Sequence, residues 1–342
     1  MTTGTITSYE AALPEGRGPL SDVLVRALRH TPGTVPLPRS GATAEPYGDD
    51  LQLALYVCYD LHYQGFEGVS GAWEWEPELL AVRRDLEHVF LAALRADTPG
   101  GDDVTGVLDE LLIEPVDGYG VSHHLRDHGD LEQVREYVAH RSIYHLKEAD
   151  PHAWAIPRLR GRAKAALVAV EFDEFGGGRA EMMHSRLFAD LMDELGLNSS
   201  YGAYLDVVPA PALATVNMMS MFGLHRALRA ALVGHFAAAE ITTAPAARRM
   251  DRALRRLGVG ERGTLFFTEH IEADAVHEQV LRRDVVGDLL RREPGLAADV
   301  AFGVQATEFL EARLGEHLLE SWRSGRSSLR RPLRSAAVRD QV

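Results

Sequence analysis

The sequence predicts an all-α protein. Apolar residues recur every three or four positions through most of the chain, which is the period of a helix that buries one face. Strand patterns, in which β-branched residues alternate with polar ones between turns, are almost absent. With 342 residues, 46% of them hydrophobic, the chain is long enough to bury a sizeable core.

The helical pattern divides the chain into three parts. Residues 1–46 are rich in Gly, Pro, Thr and Ser and have no sustained period, so we expect a loosely ordered N-terminal arm. Residues 47–322 are expected to form one helical domain, and the arginine-rich residues 323–342 a basic flexible tail. The predicted helices begin at Asp49 and continue over 76–96, 104–113, 131–147, 160–192, 210–238, 245–257, 268–281 and 300–321.

Glycines and prolines predict where three of these helices start, stop or bend. Asp150-Pro151 ends the helix over 131–147, because the residue before a proline disfavours the helical conformation. Glycines 176–178 interrupt the helix over 160–192. Pro245 is expected at the first position of its helix, where a missing N–H leaves no hydrogen bond unmade.

Composition also narrows the class of partner. The net charge of −14 disfavours a phosphate-backbone partner, and the single cysteine, Cys58, rules out an intramolecular disulfide. Residues 1–14 lack the basic start and apolar run of a signal peptide, and no stretch reaches the ~20 apolar residues of a membrane span. We therefore expect a cytoplasmic protein that binds neither nucleic acid nor membrane.

The sharpest chemical motif is His270-x-x-x-Asp274-x-x-His277. Steps of four and three residues return to nearly the same azimuth of a helix, so the three side chains form one stripe. Two imidazoles and a carboxylate on one face suit a first-row metal such as iron. The alternative is a solvated polar face, because several glutamates lie in the same segment.

A second motif, Glu181-x-x-His184, places a carboxylate and an imidazole on one helix face, as in carboxylate-bridged di-iron bundles. Glu174 lies seven residues earlier, about 10 Å away along a regular helix. The glycines 176–178 could bring Glu174 and His184 to one metal pair by kinking the helix. Alternatively, the glycines only permit close helix packing.

Glu148 completes the acidic set at the end of its predicted helix, where a glutamate is more often solvated. The order Glu148, Glu174, Glu181-x-x-His184 and His270-x-x-x-Asp274-x-x-His277 nevertheless resembles the ligand pattern of the heme-oxygenase-like di-iron oxidases, a family of iron-containing redox enzymes. The resemblance covers about residues 131–290, with a further similar stretch at 60–69.

This resemblance implies a fold, a cofactor and a ligand set. The fold would be a heme-oxygenase-like helical bundle of about seven core helices without haem, with additional N-terminal helices. The cofactor would be two iron ions (Fe2+), with O2 as co-substrate. The metal ligands would be Glu148, Glu181, His184, His270, Asp274 and His277. Glu174 would be a further ligand that enters the site conditionally, and hence the catalytic candidate.

The resemblance also implies the reaction class, an O2-dependent oxidation of a small organic substrate. We expect N-oxygenation of an amine or amino acid; oxidative C–C cleavage and desaturation of an amino or fatty acid are the alternatives. A non-catalytic metal- or haem-binding helical protein is the alternative of another class. Because no flavin or nicotinamide motif occurs, a ferredoxin or reductase is the expected electron donor. A homodimer is kept open as the assembly.

Two arginines, Arg141 and Arg162, are candidates for meeting a substrate carboxylate. A surface position or a salt bridge is the favoured interpretation for both.

Overall fold

Helices make up most of the computed structural model, which describes residues 10–38, 44–113 and 118–333 except for the side chains of 272–275. The all-α prediction is confirmed: extended pairing in the described residues is limited to one isolated bridge between Ala11 and Phe66. The helices are α1 (Pro19–Leu28), α2 (Asp49–Asp60), α3 (Pro77–Asp97), α4 (Val104–Leu111), α5 (Val121–Asp127), α6 (Leu131–His145), α7 (Asp150–Ala153), α8 (Gly161–Glu174), α9 (His184–Glu194), α10 (Ala210–Leu224), α11 (Arg229–Arg256), α12 (Glu261–Gln279), α13 (Gly287–Arg292) and α14 (Ala297–Arg323).

The centre of the molecule is built on α11, which packs most extensively against α14 and α12. Two glycines let α11 and α14 touch at the backbone. A Cβ added at Gly234 would lie 2.0 Å from the carbonyl oxygen of Val300, and one added at Gly303 would lie 2.0 Å from that of Ala231. Side chains at these two positions would force the helices apart, so the glycines set the spacing of the core.

Two predicted helix boundaries are wrong. The helix expected over 210–238 divides at His225, whose backbone is extended, into α10 and α11. Helix α11 then continues through Pro245, which the sequence places at a helix start. Ile241, Ala244 and Ala247 around this proline are buried. Burial of this face therefore outweighs the local cost of a proline inside the helix.

The described parts of both chain ends are packed, in contrast to the expected loose arm and flexible tail. Within residues 1–46, Pro19–Leu28 form α1, which packs against α2. Near the other end, the backbone N–H and hydroxyl of Ser328 donate to Glu136 Oε2 at 2.9 and 2.7 Å. These partners lie far away in the sequence, so composition alone does not reveal them. Residues 1–9, 39–43 and 334–342 lie outside the described residues.

Helix length and polarity also bear on membrane insertion. Among the described helices, none combines the length and the apolar character that a membrane span requires. This agrees with the sequence, in which no stretch reaches the ~20 apolar residues of a membrane span.

Candidate metal centre

Five of the predicted ligands meet inside the bundle. Glu148 follows α6, Glu174 is the last residue of α8, His184 is the first of α9, and His270 and His277 lie on α12. All five side chains are buried. Because buried ionisable groups are costly unless they are paired or bind a metal, this grouping indicates a specific site.

The glycines before α9 create the first part of this site. Gly176, Gly177 and Gly178 have φ of 71, 62 and 83°, the left-handed region that favours glycine. Along a regular helix, Glu174 and His184 would be about 15 Å apart. In the structure the helix breaks, and Glu174 Oε2 lies 2.8 Å from His184 Nδ1. The prediction that the glycines deform this helix is confirmed.

A first cluster joins Glu148, Glu174, His184 and His270, whose ligand atoms all lie within 4.8 Å of one another. The Nδ1 of His270 hydrogen-bonds the carbonyl oxygen of Phe266 at 2.7 Å, and a carbonyl can only accept. Nδ1 therefore carries a proton, and Nε2 faces Glu148, whose Oε1 is 3.9 Å away. This backbone contact orients His270 as a metal ligand would need.

A second cluster joins Glu174, Glu240 and His277. Nδ1 of His277 lies 3.1 Å from Glu240 Oε2 and 3.7 Å from Glu174 Oε1. Its Nε2 lies 3.2 Å from Asp173 Oδ2. Glu174 belongs to both clusters, so its two oxygens face two neighbouring positions.

Sequence reasoning missed Glu240. It lies on α11 and is 7% exposed, with a long run of alanines and other apolar residues before it. An acidic residue within such a buried run is the signal that could have found it, because isolated carboxylates are rarely buried without a partner.

Excess negative charge distinguishes the electrostatics of this centre. Burial and the nearby charges of Glu174 and Glu240 raise the pKa of Glu171 to about 9. Burial likewise raises the pKa of Glu240, although His277 opposes the shift. Carboxylates that are crowded and buried in this way are stabilised by a divalent cation.

Pairing between histidines and carboxylates shifts the pKa values of His277 and Glu148. Burial acts to lower the pKa of His277, but Glu240, Asp173 and Glu174 raise it to about 9. Burial would raise the pKa of Glu148, yet His145, which lies 2.9 Å from its Oε2, holds the pKa below its usual range.

The donor set fits iron. Imidazole nitrogen and carboxylate oxygen are the ligand types of non-haem iron sites. Nδ1 of His184 lies close to Glu174 without the alignment of a hydrogen bond, which is how two ligands of one ion approach each other. Both carboxyl oxygens of buried Glu171 also lack a hydrogen-bond partner among the described residues. Such orphaned polar atoms indicate a site built for a further group.

The remaining predicted site residues have different outcomes. Glu181 is exposed in the short 3-10 helix Ala180–Met182 and lies in neither cluster. The side chain of Asp274 lies outside the described residues. Arg162 pairs with Asp284 at 2.6 Å, and its side chain is 63% exposed, so it matches the surface alternative. Arg141 instead faces the interior cavity.

A cavity of about 450 Å³ opens onto the two clusters. The end next to the clusters is formed by Glu148, Glu174, Glu240 and His270. Its walls come from α6, α11, α12 and α14, and include Phe236, Phe266 and several alanines. The volume and the mostly apolar wall are those of a small-molecule site.

Comparisons with known proteins agree with this geometry. A family model described as an iron-containing redox enzyme matches residues 135–312, just over half of the chain and the whole of the candidate centre. The chain is also similar to nitrosourea synthase from Streptomyces achromogenes subsp. streptozoticus, with 27% identity over 161 residues. That match covers 47% of this chain and 34% of the relative, so the chain spans about a third of the relative's length.

Proposed function

The chain belongs to the iron-containing redox enzyme family, and on this premise we propose that it is a di-iron oxidase that uses O2 to N-oxygenate a small amine or amino acid. The observation that carries the proposal is that Glu174 belongs to both buried clusters. A carboxylate shared in this way would help to hold two iron ions, one at each cluster.

The two clusters suggest how the ligands are distributed. Glu148, His184 and His270 would hold the first iron, Glu240 and His277 the second, and Glu174 both. Asp274 stays a predicted ligand of the same stripe on α12. Glu181 would reach the centre only if the chain before α9 rearranged, and its ligation stays a prediction.

When bound, iron supplies the redox chemistry that activates O2. The chain's own residues prepare the site for that chemistry. His145 orients Glu148, and the Phe266 carbonyl orients His270. The Phe266 ring packs 4.3 Å from that of His270 and helps to exclude water from this end of the cavity.

Tyr144 is placed to hold a proton beside the clusters. Burial and the charges of Glu148 and Glu174 raise its pKa well above the ordinary value. The phenol therefore keeps its proton at neutral pH, and its hydroxyl lies 3.4 Å from Nδ1 of His152. A protonated hydroxyl at this wall of the cavity can donate a hydrogen bond to a bound substrate or carboxylate.

Nitrogen as the oxidised atom is supported by the similarity to nitrosourea synthase, whose name refers to a product with a nitrogen–oxygen bond. C–C cleavage and desaturation would use the same centre and differ in the product. Because the chain carries no flavin or nicotinamide motif, a ferredoxin or reductase would supply the electrons. A homodimer is the assembly to test beside the monomer.

The decisive experiment is an anaerobic Fe(II) titration of the full chain. We expect two irons per chain, and about one after Glu240→Gln. His270→Ala, Asp274→Ala and Glu174→Gln should also lower the iron content, whereas Glu181→Ala tests a predicted ligand whose side chain is exposed. Glu293→Gln, which alters a surface ion pair with Arg229, is the control. Unchanged iron content after both Glu240→Gln and Glu174→Gln would contradict the shared-carboxylate centre.

The reaction is tested on the iron-loaded protein with O2, a reductant and a panel of amines and amino acids. N-oxygenation adds oxygen to nitrogen, whereas C–C cleavage releases a smaller fragment and desaturation removes hydrogen. Mass spectrometry separates these products. Release of a fragment or a desaturated product, with no oxygenated one, would overturn N-oxygenation while leaving the iron centre intact.

A further inference from the structure

A buried ion pair lies next to the candidate ligand Glu148 in the sequence. Nζ of Lys147 donates to Oδ1 of Asp60, the last residue of α2, at 2.9 Å. The two side chains are 1% and 0% exposed. Because taking two charges out of water costs about as much as their attraction returns, stability alone does not explain a pair this deep in the molecule.

Aromatic side chains and one hydroxyl hold this pair in place. Nζ of Lys147 lies 4.7 Å from the ring centroid of Tyr56 and 4.4 Å from that of Tyr63, within the range of cation–π attraction. The hydroxyl of Tyr201 donates to the same oxygen of Asp60 at 2.5 Å. The ammonium group of Lys147 is therefore fixed from several sides.

The backbone of Glu148, in contrast, is not part of a helix. Helix α6 ends at His145, and residues 146–149 form a turn before α7. A residue inside a helix is positioned by the regular ladder of hydrogen bonds, whereas a residue in a turn depends on other contacts. The N–H of Glu148 makes a long hydrogen bond of 3.4 Å to the carbonyl of His145. The side chain of Lys147 anchors this turn to α2.

We propose that Lys147 and Asp60 are positioning residues for the iron site that Glu148 would help to form. The ion pair fixes Lys147, and the planar peptide bond between the two residues passes this constraint to the backbone of Glu148. The carboxylate of Glu148 is thereby kept beside His184 and His270. This inference rests on the proposed function, because it concerns how one ligand of that centre is held.

The inference gives the N-terminal part of the chain a role in the metal centre. Asp60 and Tyr56 lie on α2, outside residues 135–312, which the family model matches. Helix α2 packs against α1 and α10 and contributes no residue to the two clusters. It would act on iron affinity through Lys147, in the way that the outer partners of metal ligands do in other proteins.

The competing interpretation is that the ion pair only fastens α2 to the end of α6. Such a fastening would affect the stability of the metal-free protein and leave its iron affinity unchanged. A positioning role lowers the affinity for the ion beside Glu148, and it has no further effect once the Glu148 ligand is lost. Iron affinity measured with and without that ligand therefore separates the two roles.

The experiment is an anaerobic Fe(II) titration of the full chain against a competing chelator. The double variant Asp60→Asn/Lys147→Met removes both charges and keeps both shapes, so no buried charge is left unpaired. In a Glu240→Gln background, which should retain the iron beside Glu148, the double change should weaken iron binding about tenfold to a hundredfold. In a Glu148→Gln background it should change the affinity for the remaining iron by less than about twofold.

Two further variants separate positioning from folding. Asp49→Asn changes the other end of α2, where Asp49 pairs with Arg17 at 3.1 Å, and it should leave iron affinity within about twofold of the parent. Tyr201→Phe removes only the hydroxyl that donates to Asp60, and it serves if the double variant does not fold. It should weaken binding of the iron beside Glu148 about threefold. Circular dichroism and the Tm of the metal-free variants record folding.

The proposal is overturned if the double variant leaves iron affinity in the Glu240→Gln background unchanged, or if Tyr201→Phe does so where the double variant does not fold. It is equally overturned if the loss is as large in the Glu148→Gln background, or if Asp49→Asn reproduces it. A parent chain that binds no iron refutes the proposed function. A parent chain that binds two irons and does not respond to these changes refutes the positioning role alone.

Discussion

Glu171 gives the centre a measurable effect on stability. Its side chain is 3% exposed, and burial together with Glu174 and Glu240 raises its pKa from 4.5 to about 9. The folded-state pKa thus lies above that of the unfolded chain. Stability from the protonated carboxyl is fully present below pH 4.5 and is lost as the pH rises towards 9. We predict that Glu171→Gln, which mimics the protonated form, stabilises the metal-free protein at alkaline pH.

The size of the effect follows from the two pKa values. At pH 8 the solution is about 3.5 pH units above the unfolded pKa of Glu171 (4.5) and still below its folded pKa of about 9. Keeping the carboxyl protonated in the folded state therefore costs about 5 kcal/mol, at 1.36 kcal/mol per unit. At pH 5, close to the unfolded pKa, the corresponding cost is less than about 1 kcal/mol. For a chain of 342 residues, 5 kcal/mol corresponds to a rise in Tm of about 7 °C.

The assay is thermal unfolding of chelator-treated protein between pH 5 and 8. Metal must be absent, because a bound cation lowers the pKa of nearby carboxyls. Glu316→Gln, on an exposed part of α14, is the matched control and should not change Tm. An equal gain for Glu171→Gln at pH 5 and pH 8, or none at pH 8, would refute the assignment of a protonated Glu171.

Further predictions concern packing and chain geometry. Gly303→Ala should destabilise the protein by about 2–3 kcal/mol in chemical denaturation, because the new Cβ would lie 2.0 Å from Ala231 O. Gly315→Ala, in the same helix with no contact closer than 3.6 Å, should instead be neutral or stabilising. Gly176→Ala should lower the iron content, because Gly176 has a φ of 71° and a Cβ there would lie 2.6 Å from the backbone carbonyl carbon of Met182. Wild-type iron content in this variant would show that the helix break does not depend on glycine. Glu136→Gln should speed proteolysis after α14 with iron content unchanged, and equal cleavage rates would argue against the Ser328 anchor.

Local spacing explains why much of the centre could be predicted. His270 and His277 share a helix face whatever surrounds the helix, since two turns of helix fix their relative azimuth. Glu174 and His184 are joined by a short segment whose glycines can break a helix, and the structure shows that break. Information of this kind lies within about ten residues of the sequence.

Glu181 shows the limit of local spacing. A Glu-x-x-His pair lies on one face only if both residues belong to the same helix. Here α9 begins at His184, and Glu181 lies in the preceding 3-10 turn with its side chain exposed. The backbone of Met183, with a ψ of 134°, ends the 3-10 turn before α9 begins and so separates Glu181 from the face of His184.

Helix period and glycine conformation act over a few residues, so the local sequence was enough to predict the helical class of this protein and the candidate ligands that are spaced within single segments. Only the tertiary structure decided that Glu240 joins His277 and that Arg141 meets Glu311, 37 and 170 residues apart in sequence. These contacts depend on how α11, α12, α6 and α14 are placed against one another. That placement follows from close packing, such as the backbone contact at Gly234 and Gly303, which is a property of helix pairs and not of any one segment.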